Sequence, residues 1–357
     1  MHKTLSYYKN NAKHLSQRYE SAKVDNIHAL LLKTFSSKSY LLKLSLSPNP
    51  YILSETEGET HPTIGGLRIG KKQNERKENE PQDERLEWEQ DGQYFHYLTK
   101  WMHALNLVTD ATGDPKYNRW ALELAQTTYD KFTYTTLAGA ERMVWKMSID
   151  LSCSLVSSMG QHDALDEYIT CLELSRTASK YHNMPDELSI DTQIAGLSQI
   201  SQSINWDTTD PLGIGGLLSD ACILTQLIIS DNMGYLSDVL SKFLDHSLKG
   251  VESFLHTNTL KYSAQYRLAF RELGLSIGLH GVKKMQMLLS EHAECFSNDV
   301  LLRSQLKELG SYLPLCGFIE DFWLESENRK SSIWTEHLDI NSVMLATSLD
   351  ADGYLSI

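Results

Sequence analysis

Apolar positions recur every three or four residues through most of this chain, the spacing of one buried helical face. From Gly92 onward the pattern predicts helices over 93–111, 115–132, 140–158, 163–182, 187–203, 213–231, 234–256, 264–289, 291–309 and 332–348. The links between them are short and carry Gly or Pro, as at Gly113-Asp114-Pro115, Gly160, Met184-Pro185-Asp186, Asp210-Pro211 and Pro314. Links of that length make antiparallel neighbours. Two shorter helices are predicted over 4–20 and 26–35, the first with Leu5, Tyr8, Ala12, Leu15 and Tyr19 on one stripe. Period-two alternation is nearly absent, and only 42–53 and 67–69 read as extended.

The faces differ from helix to helix. In 93–111, Tyr94, Leu98, Trp101, Leu105 and Val108 form the apolar stripe, with His96, Lys100 and His103 on the opposite face. Helix 115–132 sets Lys116, Arg119, Glu123 and Asp130 against Tyr117, Leu124 and Ala125, which marks an outer helix. Residues 214–229 are apolar nearly all round and predict an inner helix. Asp210 is its capping carboxylate, and Pro211 stands where a missing N–H costs nothing. In 264–289, Gly274, Gly278 and Gly281 share one face. Each glycine costs about 1 kcal/mol of helix propensity relative to alanine, so the stripe predicts close approach by another backbone or a ligand. Arg267 and Arg271 share a second face, and Glu272, Ser276 and His280 a third; a buried Arg–Glu pair here needs partners. Near the C-terminus, Asp339 or Asn341 is expected to cap the last helix, just after Trp334, Glu336 and His337.

Between the N-terminal helices and the helical body lies a long stretch without helical periodicity. The organisation read from the pattern is an appended helical segment over 1–45, a long loop over 46–91 and the helical body over 92–350. The middle of the loop, 71–84, is densely charged. Its ends are different in kind: Gly65, Gly66, Arg68 and Gly70 form a glycine-rich, basic lead-in, and Glu87-Trp88-Glu89-Gln90-Asp91 is acidic and aromatic. A loop rich in both carboxylates and aromatics suits a pocket for a polar ligand.

Composition narrows the function classes. Across 357 residues the formal net charge is −13, with no basic patch of domain scale, which argues against nucleic acid and anionic membranes as partners. Proline is scarce, at 8 residues, which favours long uninterrupted helices. The five cysteines, Cys153, Cys171, Cys222, Cys295 and Cys316, are odd in number and widely spaced. They form no zinc or redox motif and read as reduced core thiols of a cytoplasmic protein. No apolar run reaches the roughly 18 residues that suggest a membrane span, and no signal segment is visible. No cofactor and no metal site are expected.

Two resemblances add to this reading. Leu5-Ser-Tyr-Tyr-Lys-Asn-Asn-Ala-Lys-His-Leu, with Tyr19-Glu-Ser-Ala and His28-Ala-Leu-Leu-Leu, resembles the leading helices of class I methyltransferases. That family then requires a strand and a Gly-rich turn for its methyl donor, and none follows Phe35, so methyl transfer is not expected. The second covers roughly residues 60–350. Gly65-Gly-Leu-Arg-Ile-Gly-Lys and Arg85-Leu-Glu-Trp-Glu-Gln-Asp-Gly-Gln-Tyr-Phe-His-Tyr-Leu-Thr-Lys-Trp-Met-His-Ala-Leu are similar to a bacterial branch of the six-hairpin glycosidase-like superfamily. The resemblance implies an all-α fold, the (α/α)6 barrel, with a site on loops at the barrel mouth and a sugar or oligosaccharide as ligand. A barrel with an incomplete first hairpin would expose apolar surface and either be marginally stable or form a homodimer.

Three activities are compatible with such a site. In glycoside hydrolysis one carboxyl protonates the leaving oxygen while another activates water, and an inverting pair stands about 6.5–9.5 Å apart. Glu87 and Asp91, facing Glu336 or Asp339, are the candidates. In sugar 2-epimerisation a base removes the proton next to a carbonyl, and His96, His103, His280 and His337 suit that role. Arg68 or Arg271 would hold the polarised oxygen, and Glu272 would line the site. Trp88, Tyr94, Trp101 and Trp334 are expected to stack on sugar faces, which a non-catalytic binding or scaffold protein would also do.

Overall fold

A computed structural model describes residues 53–357, apart from 78, 182–184 and 298. The appended segment expected over 1–45, including the methyltransferase-like stretch, lies outside the described residues. The described chain is mostly helical, with four strands of two or three residues each. It divides into two compact units, one ending at Asn205 and one beginning at Trp206.

The first unit holds four long helices: α1 (Phe95–Thr112), α2 (Lys116–Phe132), α3 (Asp163–Ser179) and α4 (Asp191–Gln202). Helix α1 ends on Gly113, whose φ of 71° gives the left-handed turn that starts the antiparallel return into α2. Helices α1 and α2 pack on one another, α1 and α2 both pack on α3, and α3 packs on α4. The core of this unit includes Phe95, Leu98, Met102, Leu122, Leu124 and Leu174. His103, expected on the polar face of α1, is instead buried. Its Nδ1 lies 2.7 Å from Glu173 of α3, and Asn106 donates to the same carboxylate at 2.8 Å. Asn118 of α2 donates to Asn106 at 2.9 Å, so one buried polar network ties three helices. The apolar stripe is correspondingly displaced: Phe95 and Met102 are buried, while Trp101 and Val108 are half-buried.

The helix expected over 140–158 does not form. Strands β3 (Glu141–Met143) and β4 (Lys146–Met147) take its place, β3 paired antiparallel to β2 (Thr133–Thr135) and β4 to β1 (Gln93–Tyr94). Serine and aspartate offer the backbone local alternatives to a helix. Here Asp150 accepts from the Ser148 hydroxyl at 2.7 Å, the Ser152 hydroxyl at 2.7 Å and the Ser152 amide at 3.0 Å. That knot, with Leu151 at a φ of 58°, turns the chain back instead of winding it.

The second unit comprises α5 (Pro211–Asp231), α6 (Ser237–His256), α7 (Ala269–Glu291), α8 (Asp299–Gly310), α9 (Pro314–Leu324) and α10 (Leu338–Leu349). Asp210 caps α5, accepting from the Leu212 amide at 3.3 Å, and Pro211 occupies its first turn. Hairpin α5–α6 lies beside hairpin α7–α8, with α5 against α7 and α6 against α8. The glycine stripe of α7 makes the first contact close. A Cβ on Gly278 would stand 2.6 Å from the Gly215 carbonyl oxygen, and one on Gly215 would stand 2.0 Å from that of Gly274. Helix α5 is long and apolar enough to cross a membrane by length and composition, contrary to the expectation that no run approaches this. Its apolar window is 72% buried within the protein, and a core helix passes the same test. Helix α9 was not anticipated, and the segment expected to be one helix from 332 to 348 breaks at His337 into Ser332–Glu336 and α10. Asn341 accepts from the Phe270 amide at 2.9 Å, so it caps the start of α7, not of its own helix.

Candidate functional site

The glycine-rich lead-in folds onto the start of α1. Gly66 (φ 66°) and Gly70 (φ 78°) take left-handed turns that favour glycine. Gln93 fastens the first turn, accepting from the Leu67 amide at 2.9 Å and donating to the Gly65 carbonyl at 3.0 Å. Asp91, fully buried, accepts from Arg68 Nε at 2.6 Å and from the Gly70 amide at 2.8 Å. Glu87 is also fully buried. It accepts from Lys146 Nζ at 2.7 Å and from Arg76 Nε at 2.5 Å. Burial pushes the Lys146 ammonium down, and Glu87 partly offsets this. The Tyr94 hydroxyl donates to the backbone carbonyls of Glu87 and Gln90, so burial, with nearby carboxylates, pushes its pKa up.

This buried ion cluster carries an aromatic shelf. Trp88 lies parallel on Trp145, ring centroids 4.0 Å apart, with Tyr94 edge-on to both. Trp145 is buried, whereas Trp88 is 48% exposed. His96 stands 6.0 Å from the Trp88 ring and 4.5 Å from Tyr97, which is itself exposed. Burial pulls the His96 pKa down to about 4; Asp166 opposes the shift, while Lys100 and Lys71 reinforce it. The imidazole is therefore neutral at pH 7.

Asp166 lies on the first turn of α3 with Asp163, the two residues one turn apart and on neighbouring positions of the helix surface. Thr99 and Lys100 of α1 both donate to Asp166, at 2.9 and 2.7 Å. Burial pushes this carboxyl up, but Lys100 and Thr99 outweigh it and hold it below the usual range. Asp163 feels Lys100 only at a distance, because that ammonium is bonded to Asp166. Burial, then the neighbouring Asp166, raise it to about 7, against the Gly160 amide that donates to it at 3.0 Å. A Cβ on Gly160 would stand 2.3 Å from that carboxylate, so only glycine lets the loop close over it. One protonated and one ionised carboxyl side by side is the division that acid–base chemistry at neutral pH uses.

The expected site residues fall into two groups. Arg68, Glu87, Trp88, Asp91, Tyr94 and His96 come together in the first unit; Trp101 is half-buried in α1 of the same unit. Arg271, Glu272, His280, Trp334, Glu336 and His337 belong to the second unit. There, Glu272 is buried in a bidentate pair with Arg267, whose guanidinium carbon lies 3.6 Å from the Phe322 ring centroid, and accepts from Trp323 Nε1 at 2.9 Å. Trp334 is buried and stacks on Trp323. His280 shares the Glu320 carboxylate with Ser276. Arg271 pairs with Asp210 at the head of α5, and His337 is exposed with its ring edge-on to Phe270. Glu336 is exposed at the end of the short helix Ser332–Glu336.

Asp163, Asp166 and Trp145 were not singled out from the sequence. The legible sign was two acids three residues apart opening a helix behind Gly160; that Trp145 would support Trp88 depends on the unforeseen β1–β4 pairing. Among the described residues no three His, Cys, Asp or Glu side chains gather as metal ligands would. No family model, curated protein or solved structure matches the chain.

Proposed function

We propose that the protein is a carbohydrate-active enzyme, a glycoside hydrolase using paired carboxylates, on an α/α barrel of the six-hairpin kind. The single observation that carries this reading is the half-exposed Trp88 laid on Trp145, with His96 next to it under the influence of Asp166, one of the Asp163–Asp166 pair. A flat aromatic face suits the apolar face of a sugar ring, and the buried second indole keeps that face from turning away. Asp163, protonated near neutrality, gives its proton to the leaving glycosidic oxygen. Asp166, held ionised by Lys100 and Thr99, is the second carboxylate: it takes a proton from a water whose oxygen bonds to the anomeric carbon as the glycosidic C–O bond breaks. The catalytic roles expected for Glu87 and Asp91 pass to these two, because Glu87 and Asp91 are buried against cations and hold the shelf. The barrel itself is supported by hairpins lying side by side, inner helix on inner and outer on outer, in the second unit. Epimerisation is the second reading, favoured by one observation: His96 stands 6.0 Å from the Trp88 ring with its imidazole unprotonated at pH 7, the form that can accept a proton.

The test is incubation of the purified protein with a panel of oligosaccharides and aldoses, with products resolved by chromatography and NMR. Hydrolysis should disappear in Asp163→Asn, and Trp88→Ala should raise KM with the circular dichroism unchanged. The wild-type rate should fall as pH rises through about 7, where Asp163 loses its proton. An Asp163→Asn variant that cleaves at the wild-type rate would sink the assignment. Epimerised product lost on His96→Ala, with no cleavage, would establish the second reading.

A further inference from the structure

We infer that the sugar recognised at the Trp88 shelf is anionic, a sugar bearing a carboxylate or a phosphate, and that Lys71 is the residue that selects it. The inference rests on the carbohydrate reading of the same shelf and adds the charge of the ligand. Lys71 Nζ donates to the Trp88 carbonyl at 2.8 Å and lies 5.7 Å from the Tyr94 ring centroid, so the ammonium is fixed against the shelf. It is half-buried, and among the described residues no carboxylate pairs with it. An ammonium carries three donors and no acceptor, so two remain for a ligand.

Of the carboxylates that act on the same Tyr94 ring, Glu87 and Asp91 are bonded to other cations. Three charged groups act on the neighbouring His96: Lys71, Lys100 and Asp166. Asp166 is committed to Lys100, which leaves Lys71 as the surplus. That ammonium stands in a protein whose net charge is −13. Local positive charge against that background is a placement that attracts an anion to one spot.

The experiment is a thermal-shift and calorimetric titration with four probes: glucose, methyl glucoside, sodium glucuronate and glucose 6-phosphate. The two anionic sugars should bind more tightly than the two neutral ones, and the glucuronate and phosphate arms identify which anion is preferred. Lys71→Gln keeps a donor for the Trp88 carbonyl and removes the charge. It should weaken anion binding roughly ten- to a hundredfold and neutral-sugar binding far less. Equal affinity for neutral and anionic sugars, or anion binding indifferent to Lys71→Gln, overturns the inference while leaving a sugar site standing. Failure of all four probes and of longer neutral and acidic oligosaccharides, on a protein that melts cooperatively, removes the carbohydrate reading and the inference with it.

Discussion

At the scale of single residues, the first unit keeps its carboxyls in three states. Glu87 and Asp91 are paired with cations, Asp163 titrates near neutrality, and Glu167 has neither fate. Glu167 is fully buried, and among the described residues neither carboxyl oxygen has a hydrogen-bond partner. Burial, then Asp166 and Asp163, push its pKa well above the ordinary value, so the folded state holds it neutral. Tyr129 of α2 and Cys171 of α3 are the other titratable groups that feel it. The folded protein binds a proton that the unfolded chain releases above the usual carboxylate range. Stability is therefore greatest at low pH with respect to this group and declines as pH rises toward the folded pKa, by at most about 1.4 kcal/mol per pH unit for one proton. Glu167→Gln should flatten that decline, read as urea midpoints from pH 5 to 9. A variant with the wild-type slope would show that Glu167 does not carry it. None of this was visible in the sequence, where Glu167 is one acid among several in a helix. Its state depends on Tyr129, Cys171 and the absence of any cation, all of which are set by packing.

At the scale of elements, the helices whose apolar face continues for four turns or more were legible, and so was the glycine stripe of α7. The stripe has a definite partner: Gly215 on α5 receives Gly274 and Gly278. Alanine at Gly215 would gain about 1 kcal/mol in helix propensity yet drive a methyl group into a backbone carbonyl, an overpacking penalty of about 1–3 kcal/mol or more. Its neighbour Gly216 meets nothing within 4 Å. Gly215→Ala should lower the urea midpoint and Gly216→Ala should raise it. Matching shifts for the two would mean that the helices do not approach this closely. The failed helix over 140–158 shows the limit of periodicity. Met143, Val144, Met147, Leu151 and Leu155 recur at helical intervals, yet they become buried through strand pairing and a serine–aspartate knot. Spacing alone does not distinguish the two ways of burying them.

For the whole molecule, the cysteines report on both units. Every one is a free thiol, as their spacing suggested; Cys153 is exposed, Cys295 half-buried, and Cys171, Cys222 and Cys316 buried. Burial pushes the Cys222 and Cys316 thiols up to about 12 and Cys171 well above its ordinary value, so these three lack thiolate at neutral pH. A thiol reagent should modify Cys153 first, Cys295 more slowly, and the other three only when their unit unfolds, as followed by intact mass. Prompt labelling of Cys171, in the first unit, or of Cys222, in the second, would contradict the packing described. The alternation of wetter and drier helices was enough to read an all-α chain. The shelf was half legible: Glu87-Trp88-Glu89-Gln90-Asp91 announced itself, but its supports Lys146 and Trp145 come from a distant segment whose geometry depends on the strands.

The Glu87–Lys146 pair also decides where this protein can be divided. Lys146 is wholly enclosed, and its only carboxylate partner among the described residues is delivered by a segment that precedes the first long helix. A shortened protein beginning at α1 would keep every long helix and strand an ammonium in its interior; breaking a buried pair in this way costs about 3–5 kcal/mol. The charged stretch before α1 is thus an inseparable part of the fold, and gene fusions or domain transplants that respect only the helices would cut through its core.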